Sequence, residues 1–265
     1  MAQSRIVFVF LFLITLYSVP SQAFIIPSFQ LIKKMVSKTK NLENAKFVSK
    51  VDVFNSNGEL EKNFIENLYV NDDLMVIQIQ SEQGEEIFSG QRKITKTKLM
   101  PPLYDLFFIK DSDVVFSHLK TGGLALKTQD EVYQKEEGQE ISTLMPESGL
   151  NFVRYENRTA VLISEEVGSN GPKLWIEKES WFPLKAVLFS TEDNDSLLEY
   201  RFLRYQPHRT YFYPHQIQIY KEGKLWIQLE TKDVKVSGVN IPNSVGKSSA
   251  STTPKYLENY VRWVR

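Results

Sequence analysis

The chain reads as a mainly β protein: one long antiparallel sheet that must curl, with an N-terminal helix and short helices inserted midway. Three observations predict it. From Lys46 onward apolar residues recur with period two between hairpin turn signals. Between Pro101 and Gly123 the spacing changes to i, i+3, i+4. Nowhere do strand and helix patterns alternate, which excludes a parallel, Rossmann-type sheet.

The first structured element predicted is a helix in PSFQLIKKMVSKTKNL. Pro27 and Ser28 start it, Phe29, Ile32, Met35, Val36 and Leu42 fall near one face, and Lys33, Lys34, Lys38 and Lys40 fall elsewhere. A basic amphipathic helix suits either a membrane surface or, more simply, the flank of the domain with its lysines outward. KFVSKVDVFN, FIENLYVNDDLMVIQIQS and EEIFSGQRKIT then read as strands, punctuated by Asn57-Gly58 and a Gln-Gly turn. After Pro101-Pro102, Leu103, Leu106 and Phe107 share a helical face, as do Val114, Val115 and Leu119 behind an Asp111 or Asp113 cap, and Gly122-Gly123 ends the run. Strands resume with QDEVYQKEE and EISTLM, then RTAVLISEE, KLWIEKE, PLKAVLFS, SLLEYRFLRY, PHQIQIYK and KLWIQLETKDVKVSG. The last two predict a hairpin about Glu222-Gly223, with Leu225, Ile227 and Leu229 on the buried side and Gln228 opposite. A polar linker, NSVGKSSASTT, leads to PKYLENYVRWVR, with Tyr256, Leu257, Tyr260, Val261 and Val264 on one side.

The organisation expected is residues 1–23 as an export signal, 24–241 as the β domain, and 242–265 as linker and amphipathic segment. The signal is read from Arg5, the apolar run Ile6 to Leu16, and the small residues Ser21 and Ala23; cleavage is expected after Ala23, releasing the chain into the periplasm. The chain has no cysteine, which excludes disulfides, thiolate metal sites and cysteine nucleophiles. Its 32 Lys and Arg balance 32 Asp and Glu without any basic block, so no nucleic-acid partner is expected.

Enzyme signatures are missing. His118, His208 and His215 stand in no HExxH-like spacing, and no GxSxG, Walker or GxGxxG element occurs. Acid pairs such as Glu136-Glu137 and Glu165-Glu166 lie at turns, where solvated carboxylates are ordinary. The reading is non-enzymatic, without cofactor or metal.

KLWIEKESWFPLKAVLF, residues 173–189, poses the sharpest question, because its two strands are apolar on both parities. A sheet with one wet face should alternate. The expectation is that inserted or terminal helices cover one of the two faces.

The same segment carries a resemblance. Leu174, Trp175, Ile176, Glu177, Lys178, Pro183, Leu184 and Lys185, followed by SLLEYRF, resemble the strand–turn–strand signature of the LolA/LolB-like lipoprotein-carrier superfamily, and RYENRTAVLISEEV resembles the strand before it. The resemblance covers roughly residues 150 to 235. It implies a half-open β-barrel with a helical lid, holding the acyl chains of lipoproteins or lipids for transfer towards the outer membrane. It also implies an inner-membrane release complex and an outer-membrane acceptor as partners. The first half departs from the family pattern, and for the arginine that latches the family's lid the nearest candidate is Arg92.

On this reading the cavity would be lined by Leu174, Ile176, Ala186, Leu188, Phe202, Ile217, Ile219, Ile227 and Leu229, with Leu103, Leu106 and Phe107 as the lid. Core and cavity lining use the same residue types. The alternative therefore stays open: a periplasmic sensor or scaffold module of the same fold, its cavity collapsed and its C-terminal segment docking a partner.

Overall fold

The structure, a computed structural model, describes residues 26–38, 44–71, 74–93, 106–134, 143–144, 149–165, 170–189, 197–209, 211–242, 256–257, 260–261 and 264. The export signal and Leu103 lie outside these residues. No helix among the described residues is long and apolar enough to cross a membrane.

Helix α1 (Ser28–Ser37) precedes four strands, β1 (Ala45–Phe54), β2 (Leu60–Val70), β3 (Leu74–Gln80) and β4 (Glu86–Lys93). An insertion follows, carrying α2 (Ser112–Thr121), α3 (Gln129–Val132) and the two-residue strands β5 (Tyr133–Gln134) and β6 (Thr143–Leu144). Seven strands complete the order: β7 (Leu150–Tyr155), β8 (Arg158–Ser164), β9 (Lys173–Glu177), β10 (Pro183–Phe189), β11 (Leu197–His208), β12 (Tyr211–Lys221) and β13 (Lys224–Val236). Eleven of them form one antiparallel sheet in the order β4-β3-β2-β1-β13-β12-β11-β10-β9-β8-β7. The sheet is two meanders joined along β1 and β13, and among the described residues β4 and β7 are its edges. It is the curved, half-open barrel predicted, and the helical insertion links its two edges.

The elements follow local chemistry. Asp111 caps α2, its carboxylate accepting from the backbone N–H of Asp113 at 3.1 Å and of Val114 at 3.4 Å. Gly123 follows that helix at φ +94°; a Cβ there would come within 2.9 Å of the Phe189 ring and of Pro172, so glycine is required both for the turn and for the close approach. Helix α1 buries Leu31, Ile32, Met35 and Val36 and exposes Lys33 and Lys34. It docks on the domain, and Lys34 lies over the Trp181 ring at 4.3 Å.

The structure departs from the sequence reading at several elements. FIENLYVNDDLMVIQIQS is split by a turn at Asn71, whose side chain accepts from the Leu74 N–H at 2.6 Å. QDEV is a helical turn rather than a strand, because Glu131 accepts from Lys120 and from the Thr128 N–H and so closes the turn. LNFVRY, where Asn151 and Arg154 dilute the alternation, forms the edge strand β7. The Glu222-Gly223 hairpin forms and Ile227 and Leu229 are buried, but the register shifts beyond Ile219. Ile219 pairs with Ile227 while Tyr220 pairs with Leu225, so one extra residue on β13 moves Leu225 to the parity of Tyr220 and leaves it half-buried.

Candidate ligand-binding face

Period-two alternation puts one face of every long strand into a single core. On β1 the buried positions are Ala45, Phe47, Ser49, Val51 and Val53, strictly alternate. On β2 and β3 they include Phe64, Glu66, Leu68, Met75, Ile77 and Ile79. All nine residues read as cavity lining, Leu174, Ile176, Ala186, Leu188, Phe202, Ile217, Ile219, Ile227 and Leu229, fall on this inner face and are at most 2% exposed. The face is filled by this chain's own segments. Helix α1, residues 106–109, Val115 and Leu119 of α2, and Leu257, Tyr260 and Val264 near the C-terminus share one core with it. A polar depression lined by Asn44, Asn71, Val239, Asn240 and Ile241 contains none of the nine.

The cover at residues 106–109 sits in an aromatic cage. The Phe107 ring meets Phe202 edge-on at 5.1 Å and Tyr213 at 5.5 Å, while Phe108 meets Phe47 at 5.3 Å. The buried Tyr211 hydroxyl donates to the Phe107 carbonyl at 3.1 Å. Leu106 and Phe107 are each 1% exposed. Backbone and ring are therefore both held.

The second cover is the C-terminal segment. Tyr260 packs edge-on against Phe64 at 5.1 Å, and its hydroxyl donates to Glu66 Oε2 at 2.7 Å. Both residues are fully buried. Glu66 belongs to a polar row across the apolar face: Ser49 pairs with Glu66 on one side and with Thr231 on the other, and the Ser49 and Thr231 hydroxyl oxygens lie 3.4 Å apart. Sequence reasoning missed this row. Its signal was there, since Glu66 shares the parity of Phe64 and Leu68 in FIENL, and an acid on an apolar parity needs a partner inside. Arg92, the nearest candidate for a lid latch, lies on the edge strand β4 opposite Met75.

The doubly apolar signature segment has helices and the 106–109 segment packed on its inner face, as expected, while its outer face is dressed by its own side chains. The pairings Leu162–Trp175, Trp175–Lys185 and Lys185–Arg201 run as one cross-strand row. Lys185 lies over the Trp175 ring at 5.1 Å, and Tyr155 flanks that ring at 6.5 Å. The cationic heads themselves cover outer rings, Arg201 lying over Tyr220 at 4.3 Å. Glu199 anchors both heads, 2.9 Å from Lys185 and 2.7 Å from Arg201. Burial pulls the Glu199 carboxyl up, but those hydrogen bonds and charges outweigh it and hold it below the usual carboxylate value. Burial, helped by the Glu156 charge, pushes Tyr155 up to about 12. The turn of the signature is fixed as well: Trp181 adopts φ +63°, and the Tyr205 hydroxyl donates to the Pro183 carbonyl at 2.6 Å while its ring stacks on Phe182 at 4.6 Å.

At the β11–β12 end, His208 and His215 bring their Nε2 atoms to 2.9 Å with rings nearly parallel. Burial, then the neighbouring His215 charge, lowers His208 against the opposing pull of Asp233; burial lowers His215 against a hydrogen bond that its ring donates to the Thr231 backbone carbonyl. Among the described residues no three His, Cys, Asp or Glu side chains converge to hold a metal.

No family model matches the chain, and no curated protein matches it in sequence. Solved structures resemble it at low identity. One is described as an outer membrane lipoprotein-sorting protein domain from Vibrio parahaemolyticus, at 11% identity and TM-score 0.45, covering 81% of this chain and 94% of that one. A LolA superfamily protein from Nitrosomonas europaea matches at 10% identity and TM-score 0.45, over 83% and 96%. A DUF1329 family protein from Desulfovibrio piger matches at 10% and TM-score 0.43, over 80% and 93%.

Proposed function

We propose that the chain is a non-enzymatic carrier that takes up acyl chains of lipids or lipoproteins on the inner face of its half-open sheet. One observation carries the reading. A continuous apolar face is covered not by a second sheet but by separate segments of the chain, α1, residues 106–109 with α2, and the C-terminal residues, each of which can leave without breaking a strand pairing. Displacing such a cover with an acyl chain exchanges one apolar contact for another, and each methylene withdrawn from water contributes about 0.8 kcal/mol.

In this reading residues 1–23 direct export to the periplasm, residues 24–241 form the carrier domain, and transfer runs from an inner-membrane release complex to an outer-membrane acceptor. The nine inner-face residues contact the acyl chain, and Leu106 and Phe107 act as lid. The tight filling of the face favours a second reading, a sensor or scaffold module whose core is permanent.

Lipid extraction from the purified protein, followed by titration with a fluorescent fatty acyl probe, separates them. Saturable uptake supports the carrier. A protein that releases no lipid and takes up no probe is a scaffold.

A further inference from the structure

We propose that the polar row Glu66, Ser49 and Thr231 is a headgroup subsite inside the apolar face, selecting amphiphiles whose head donates hydrogen bonds, and that Tyr260 occupies it as an internal surrogate. The inference rests on the carrier reading and names the ligand class.

Glu66 lies at the middle of β2 with Phe64 and Leu68 on the same face two residues either side. Ser49 is likewise flanked by Phe47 and Val51, and Thr231 follows Leu229 on its parity. Three oxygen-bearing side chains thus stand side by side on adjacent strands inside a surface that is otherwise apolar. For core packing alone, such a row is unfavourable unless every group is hydrogen-bonded.

What fills it is informative. Tyr260 presents an apolar ring to Phe64 and a single hydroxyl to Glu66 at 2.7 Å. An apolar body ending in a donor is the chemistry of a long-chain alcohol, a monoacylglycerol or an alkylamine. Any ligand that displaces the C-terminal segment must replace the donor it removes. A hydroxyl or ammonium head does so. A carboxylate or phosphate head offers acceptors only, leaves the Glu66 oxygen without the donor it loses, and is rejected.

The experiment uses the full chain and three probes of equal chain length: dodecanol, dodecylamine and laurate, at pH 7.5, by isothermal titration calorimetry. Dodecanol and dodecylamine are expected to bind at least tenfold more tightly than laurate. Glu66→Gln keeps an acceptor carbonyl, adds an N–H donor that an acceptor-only head can use, and should reduce that preference at least threefold. Tyr260→Phe keeps the ring and releases the bond, so it should tighten the donor-headed probes severalfold without reversing the preference. Should Glu66→Gln fail to fold, the native preference and the Tyr260→Phe affinities decide. Equal binding of all three probes by the native chain, or tighter binding of laurate, overturns the subsite and leaves the carrier reading standing. No binding of any probe overturns both.

Discussion

Two segments cover the inner face, and they are held in different ways. Residues 106–109 insert two phenylalanine rings among Phe47, Phe202 and Tyr213 and are tied through their backbone by the Tyr211 hydroxyl. Among the described residues, the C-terminal cover sets Tyr260 against Phe64 at 5.1 Å, with Tyr256 more distant at 6.5 Å, and joins the Tyr260 hydroxyl to Glu66. The first is a firmly held lid and the second a lighter latch. If the face opens, the C-terminal cover should leave first.

The contrast has an order of magnitudes. Phe107→Ala should cost the most, about 3 to 5 kcal/mol, because it removes a fully buried ring from a cage that cannot collapse; denaturant unfolding measures it. A loss below about 1 kcal/mol would mean that this segment too is a loose lid. Tyr260→Phe should cost about 2 kcal/mol, since it deprives a buried carboxyl of a donor. It should also raise hydrogen exchange at the C-terminal amides while the 106–109 amides stay protected. Equal acceleration in both would erase the distinction. Tyr211→Phe should cost about 1 kcal/mol, leaving the Phe107 carbonyl short of one donor with the ring packing intact.

The smallest effect is one of pH. His208 and His215 both have folded-state values below the ordinary 6.5, so the unfolded chain binds protons more readily than the folded one. Their contribution is therefore complete above pH 6.5 and is lost as the pH falls through the lowered values. The double variant His208→Gln with His215→Gln should flatten the dependence of melting temperature on pH below 6.5. An unchanged slope would show that other groups govern it.

How much of this could be read beforehand depends on range. A cap at Asp111 or Asp113, of which the helix uses Asp111, the end of α2 at Gly122-Gly123 and the Glu222-Gly223 hairpin are decided by residues a few positions apart. The parity of the inner-face residues was equally plain, because alternation is a local property. Leu225 was misplaced because a register shift leaves no mark in the alternation itself. The polar row was hidden for another reason: Glu66 and Tyr260 lie 194 positions apart, and only the fold brings them together. The doubly apolar signature strands were read as having helices over one face; the helices lie on the inner face, and the Lys185 and Arg201 heads cover rings on the outer one.

The seam between β1 and β13 bears on how the molecule is made. Ser49 and Thr231, neighbours across it, are 182 positions apart in the chain. Every other strand junction in the sheet joins consecutive strands and can zip from a turn or connecting loop; this one must wait until the last strand exists. Until then the β1–β4 meander stands with an open edge and an uncovered apolar face, the state in which β proteins pair with the wrong neighbour. Closing so long a loop is slow, so folding should be limited by this one event. A circular permutant that joins β13 directly to β1 and opens the chain between β4 and β7 would turn the slowest junction into a hairpin.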